Sequence, residues 1–393
     1  MKRRNFSKVL TTGVIGASMA SNTVLGSVSR LPTVKPQKNL LMRVGGDDHS
    51  VKVLKSDAID NSNRSVRHYG DSTSKENLEF KLRHGIKHIT THVRKFNPDG
   101  AWDIDEIKRI KDNCDKCGVE LECLNLGDTL ETHVERQRTP NITLGKSPER
   151  DREIEVILGN IRKAGEVSIP AIRYHWRILP IMRNGYDQGR GGSSYRRWDI
   201  EDNWQDLPMS MAGRVTQDEW WERITWFLER VIPVAEEYKV RMACHLPDPP
   251  LPLGYRGVDR WNHNVFEGLK KYSEIVDSPY NGFLLCVGTL GEGMLNPGED
   301  VYDIIRYFGE LKKIFCVHLR NIRGTRDHFA EVYPDEGDMN FYKVVKILRD
   351  VQYPYSILPD HMPDHPEDQR KWQAFAFGYG YIKGLIQAVN SEL

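Results

Sequence analysis

The sequence carries almost no surplus charge: 56 Lys and Arg stand against 55 Asp and Glu, a net +1 over 393 residues. That balance excludes the basic field of a nucleic-acid binder. No apolar run approaches the roughly 20 residues that a membrane-spanning helix needs, so no integral membrane segment is expected in the mature chain. Cysteine is sparse, six in all, and its placement argues against a disulfide framework. Cys244, Cys286 and Cys316 fall within or at the end of apolar strand-like runs. Cys114 and Cys117 form a Cys-x-x-Cys in a helical stretch, with no second pair to complete a zinc ribbon. What remains is a chain that is 39% hydrophobic and 28% charged, long enough for one large α/β domain or two smaller ones. Its partner is expected to be a small molecule.

The first 30 residues stand apart. A charged start containing Arg3 and Arg4 precedes a weakly apolar run, 9–20, diluted by Gly, Ser and Thr. This has the form of a signal peptide, and the Arg pair points to the twin-arginine class, with a generic secretory leader or a basic tail as the alternative. A periplasmic or otherwise exported protein is therefore expected. Residues 31–63 are polar and rich in Pro, Lys and Asp, and read as an extended lead-in without a core of its own.

From residue 64 to 393 the pattern alternates. Short strand-like runs occupy 66–70, 86–93, 119–125, 169–175, 240–245, 282–286, 314–321 and 355–361. Amphipathic helical stretches follow at 75–83, 103–117, 148–164, 217–237, 264–275, 301–312, 341–348 and 366–389. Runs this apolar and this short, separated by helices, predict parallel strands buried on both faces. Eight such units predict a (β/α)8 TIM barrel, with an open doubly wound sheet as the alternative. Two connections, 126–146 and 176–216, are too long for plain βα loops. The second holds a Gly-rich, aromatic and cationic run, 189–199, which reads as a lid over the barrel mouth or, alternatively, as a phosphate cradle.

In a barrel of this kind, the C-terminal strand ends carry the chemistry. His245, Cys286, His318 and Asp360 end strands five to eight in order. Two imidazoles, a thiolate and a carboxylate make a workable shell for Mn²⁺, Fe²⁺, Co²⁺ or Zn²⁺, and the thiolate disfavours Mg²⁺ and Ca²⁺. His361, beside Asp360, can move a proton. Arg320 can pair with a carboxylate through its planar fork and Asn321 with a hydroxyl. Asp248 lies close to His245 in sequence, and can serve there or cap a Pro-rich turn. Tyr195, in the long loop, is a reserve proton carrier.

These residues carry a family resemblance. Cys-His-Leu-Pro-Asp-Pro-Pro at 244–250, Cys-Val-Gly-Thr-Leu-Gly at 286–291, His-Leu-Arg-Asn-Ile at 318–322, Gly-Asp-Met at 337–339 and Pro-Asp-His at 359–361 resemble, in order, the motifs of the D-mannonate dehydratases. The resemblance implies a xylose-isomerase-like TIM barrel with Mn²⁺ or Fe²⁺ held by His245, Cys286, His318 and Asp360. It also implies an acid/base role for His361 in converting D-mannonate to 2-keto-3-deoxy-D-gluconate in hexuronate breakdown. The family motif has a second Asp where this chain has Leu246-Pro247, and a Gly and then a catalytic Tyr after the Asp-His pair, where this chain has Met362 and no aligned Tyr. A sugar isomerase or epimerase on the same barrel, or a sugar-acid-binding protein without catalysis, are the alternatives. Self-association into a homo-oligomer is left open.

Overall fold

The computed structural model describes residues 35–50, 70–260 and 264–393. The leader expected over 1–30 and nearly all of the strand expected at 66–70 lie outside the described residues. Eight parallel strands form one sheet: β1 (Arg43–Val44), β2 (His88–His92), β3 (Glu120–Asn125), β4 (Ala171–His175), β7 (Arg241–His245), β8 (Asn281–Cys286), β9 (Ile314–His318) and β12 (Ser356–Leu358). A second, antiparallel sheet contains β5 (Gly185–Gln188), β6 (Ser194–Asp199), β10 (Asn321–Thr325) and β11 (His328–Val332). The large sheet runs β1-β12-β9-β8-β7-β4-β3-β2. It closes where the Gly46 N–H donates to the His88 carbonyl at 2.9 Å and the Gly46 carbonyl accepts from the Thr90 N–H at 2.9 Å. The expected TIM barrel is thus the observed architecture.

The first strand is not where the sequence placed it. It is Arg43–Val44, inside the segment expected as a lead-in, with Met42 and Val44 buried in the core. The barrel therefore begins before residue 64. Preceded by Leu40-Leu41-Met42 and followed by Gly45 and Gly46, so short an element offers no periodicity to read. The glycines have a steric reason: a Cβ on Gly45 would sit 2.7 Å from that of Ser356 in the neighbouring strand.

Among the described residues, eight helices of nine residues or more pack outside the strands; the last, Trp372–Ser391, begins six residues later than expected, and the other seven lie within four residues of their expected bounds. The helix Gln217–Glu237 shows why. Thr216 and Glu219 form a capping box at its start, and Trp220, Ile224, Phe227 and Val231 repeat at helical spacing on its buried face. Each such side chain contributes roughly 1.5–3 kcal/mol on burial. Inside the barrel the packing alternates with period two. Ala243, Leu284, Cys316 and Leu358 fill the interior, and two residues further along each chain come His245, Cys286, His318 and Asp360 at the upper rim. All six cysteines are free, and no helix among the described residues is long and apolar enough to cross a membrane.

The long connection 176–216 is structured. Its β5–β6 hairpin joins β10 and β11, and the Gly-rich run is the hairpin turn, closed by Gly189 N–H donating to the Ser193 carbonyl at 2.7 Å. This accounts for the glycines without a phosphate cradle.

Candidate active site and metal centre

The strand ends converge. Ligand atoms of His245, Cys286 and His318 lie within 4.8 Å of one another, and Cys286 and His318 face each other in register. Asp360 completes the set: its Oδ2 is 3.7 Å from Cys286 Sγ and its Oδ1 is 3.2 Å from His318 Nδ1. His245 Nδ1 donates to the Leu246 carbonyl at 2.7 Å, which leaves its Nε2 as a lone-pair donor to an ion. His318 Nδ1 is buried without a hydrogen-bond partner despite its nearness to Asp360. A buried, unsatisfied imidazole nitrogen beside a thiol and a carboxylate fits a coordinated cation. Burial pushes the Cys286 thiol up, more than the neighbouring Arg320 lowers it. Burial also disfavours the Asp360 carboxylate, but His361, His318 and Arg320 outweigh it and hold the group well below the usual range.

Beside this set lies a buried ionic knot. The Arg320 Nη2 donates to Asp248 at 3.0 Å, Glu292 at 2.6 Å and the Thr289 hydroxyl at 3.0 Å, while its Nη1 is 3.2 Å from Asp360. Arg183 bridges Asp248, Glu292 and Glu331 at 2.7–2.9 Å. Burial pushes Glu292 well above its ordinary value, whereas Arg183 and Arg320 overcome the same burial at Asp248. Both Nη atoms of Arg320 thus face protein carboxylates, and Arg320 braces the site while bordering the cavity. Asp248 faces these two arginines and borders the cavity, as its place near His245 suggested. His361 Nδ1 lies 3.0 Å from Glu331 Oε1, a histidine–carboxylate pair in which the sequence had supplied only the histidine.

Two expected site residues point elsewhere. Asn321 donates to the Pro334 and Met339 carbonyls at 2.9 Å each and accepts from the Ile322 and Met339 N–H groups, so no face is left for a substrate hydroxyl. Tyr195 donates to Glu336, accepts from the Arg190 N–H at 3.2 Å and packs on Ala330 and Val332, away from the cavity. Sequence order gives a residue's position but not its direction, and both side chains turn into the β10–β11 side of the fold.

Above the ligands opens a cavity of about 450 Å³. Its walls hold residues that the sequence did not single out. His49 follows β1, and its Nδ1 is 2.5 Å from Asp47 Oδ2. His92 ends β2 and pairs with Asp48, which raises it to about 9 against the opposing effect of burial. Glu131 accepts from Arg173 at 2.6 Å. His175, lowered to about 3 by burial and by Arg177, stacks on His245 with ring centroids 4.0 Å apart. The common signal was available: His92, His175 and His245 all end barrel strands. Arg136, Arg177, Arg183 and Arg196 also border the space, a surround suited to an anionic ligand. The wall residues Ile181, Arg183, Tyr186 and Arg196 come from the long connection expected as a lid.

The D-mannonate dehydratase (UxuA) family model matches residues 202–392, the half of the chain containing all four proposed ligands. Mannonate dehydratase of Thermotoga petrophila is 27% identical over 374 residues, covering 82% of this chain and 97% of the relative. That of Geobacillus thermodenitrificans is 29% identical over 314 residues, covering 70% and 80%. The crystal structure of mannonate dehydratase from Streptococcus suis serotype 2 superposes with a TM-score of 0.66 at 26% identity, covering 79% of this chain and 88% of that one. An L-ribulose 3-epimerase structure shares the fold, with a TM-score of 0.52 at 13% identity over 89% and 96% of the two chains. Sequence relatives spanning most of the chain, together with the motif residues gathered at one barrel mouth, support a member of the mannonate dehydratase family.

Proposed function

We propose that this protein dehydrates D-mannonate to 2-keto-3-deoxy-D-gluconate, with Mn²⁺ or Fe²⁺ held by His245, Cys286, His318 and Asp360. The observation that carries this reading is the convergence of those side chains beneath a cavity bordered by arginines. When bound, such an ion supplies Lewis acidity to stabilise charge developing on the substrate carboxylate and its neighbouring hydroxyl. The protein's own part is positioning and proton transfer. Arg136 and Arg177 border the cavity outside the Arg320 knot and can meet an incoming carboxylate. Glu331 Oε1 and Arg320 Nη1 both meet His361 Nδ1, at 3.0 and 3.1 Å, and hold the ring with its Nε2 edge turned away from them. His361 then takes the proton at C2.

Purified protein loaded with Mn²⁺ should form a 2-keto-3-deoxy acid from D-mannonate. C2 and C3 epimers such as D-gluconate and D-altronate should react at least about tenfold more slowly, because their reacting groups are presented to different faces of the site. Interconversion of aldoses and ketoses without loss of water would instead favour a sugar isomerase.

A further inference from the structure

Dehydration of a 2,3-dihydroxy acid requires two proton transfers. The C2–H bond breaks and its electron pair becomes the C2–C3 double bond, while the C3–O bond breaks and the oxygen leaves as water. One group must accept the C2 proton and another must protonate the departing oxygen, unless both events occur on one face. His361 supplies the first group. The sequence offers no tyrosine after it, and the structure turns Tyr195 away from the cavity.

The other cavity imidazoles can be taken in turn. His245 and His318 belong to the proposed ligand set. His92 is paired with Asp48 and lies 3.4 Å from Glu131. His175 is stacked on His245 and held between Arg177, at 2.6 Å, and Glu131, at 3.4 Å. His49 differs from all of these. It lies across Asp360 from His361, with the two rings edge to face and their centroids 5.1 Å apart. Its Nδ1 is 3.7 Å from Asp360 Oδ1 and 2.5 Å from Asp47 Oδ2. The turn that carries it is fixed from within. The His49 N–H donates to Asp47 Oδ1 at 2.9 Å, and the Ser50 hydroxyl donates to the Asp47 carbonyl at 2.9 Å. Asp47 is buried, and His49 lines the cavity.

We propose that His49, held by Asp47, is the second proton-transferring residue of the site: it protonates the C3 oxygen as water leaves, while His361, held by Glu331, removes the C2 proton. Two carboxylate-backed histidines thus flank the ligand Asp360, one for each half of the elimination. The enol that results loses its C2 hydroxyl proton and takes a proton at C3 to become the 2-keto-3-deoxy acid, so the sum is substrate to product plus one water. On this assignment the C2 carbanion forms before the C3–O bond breaks, so the two halves can be separated by substitution.

This proposal rests on D-mannonate as the substrate, and its test keeps the two apart. With Mn²⁺-loaded protein in D2O, His49→Asn should dehydrate D-mannonate at least about a hundredfold more slowly than the parent, with its metal content and KM near parental. Recovered D-mannonate should still gain deuterium at C2, read by NMR. His361→Asn should lose both dehydration and exchange, and Asp47→Asn should behave as a milder His49→Asn. In metal-free parent protein, D-mannonate should slow carbethoxylation of His49 by diethylpyrocarbonate, mapped by peptide mass spectrometry. A parent that dehydrates D-mannonate alongside a His49→Asn variant within a few-fold of it overturns the role of His49 alone. So does a variant that loses C2 exchange together with dehydration, or one that loses its metal, or a carbethoxylation rate that D-mannonate does not change. A parent that leaves D-mannonate intact overturns the substrate reading and, with it, this assignment.

Discussion

Cys286 shows how one side chain is given a chemical role by its surroundings. A buried thiol is ordinarily a small hydrophobe, and Cys114, buried in the helix Ile104–Lys116, is one. Cys286 is equally buried but has a carboxylate oxygen at 3.7 Å, and its neighbours His245 and His318 offer nitrogen lone pairs. Cys286→Ala is therefore expected to lower the bound metal by at least about tenfold, by removing a ligand from the set, while Cys114→Ala leaves it at the parental level; elemental analysis of the purified variants reads both. Equal metal in the two would remove Cys286 from the ligand set. At this scale the four candidate ligands were legible because each ends an apolar run in strand order. Glu331 and Glu292 were not. They sit in an antiparallel strand and a short helix that hydropathy patterns do not mark as facing the site, and only the fold brings them to Arg320 and His361.

The elements around the mouth depend on side chains that tie loop to strand. Asn321 does this for β10: its amide and carbonyl together hold 334 and 339 against the strand. Gly337 fits so closely beneath it that an added Cβ would lie 2.1 Å from Asn321 Oδ1. Asn321→Ala leaves two buried carbonyls and two N–H groups short of partners, and should cost about 2–4 kcal/mol in denaturant unfolding. If Asn321 instead contacted substrate, KM would rise with stability unchanged. Helices were legible as elements because caps and a 3.6-residue period recur in them. The first strand was not, because its two residues carry no period and its place is fixed only by pairing with β12 and by the Gly46 bridge to β2.

Across the whole molecule, the barrel gathers opposite charges around its mouth, and stability should follow their titration. His92 is raised from 6.5 to about 9 by Asp48, despite burial. A raised histidine stabilises the folded state fully below its unfolded value, and that contribution is lost as pH climbs through the folded one. Between pH 6.5 and about 9 the Tm advantage of the parent over His92→Asn should therefore shrink, by the equivalent of about 3 kcal/mol. A constant difference would mean that His92 is neutral in the fold. Fold class and ligand order could be read along the chain because both follow from periodicity. The arginine-bordered cavity could not, since its residues come from five or more separate connections that only barrel closure brings together. The proposed reaction is loss of water from D-mannonate in this cavity, with an ion on His245, Cys286, His318 and Asp360. Stripping the protein with chelator, returning Mn²⁺ or Fe²⁺ and following D-mannonate by ¹³C NMR decides it. 2-Keto-3-deoxy-D-gluconate should form only after the metal is restored; product from the stripped protein, or none from the reloaded protein, would rule the reaction out.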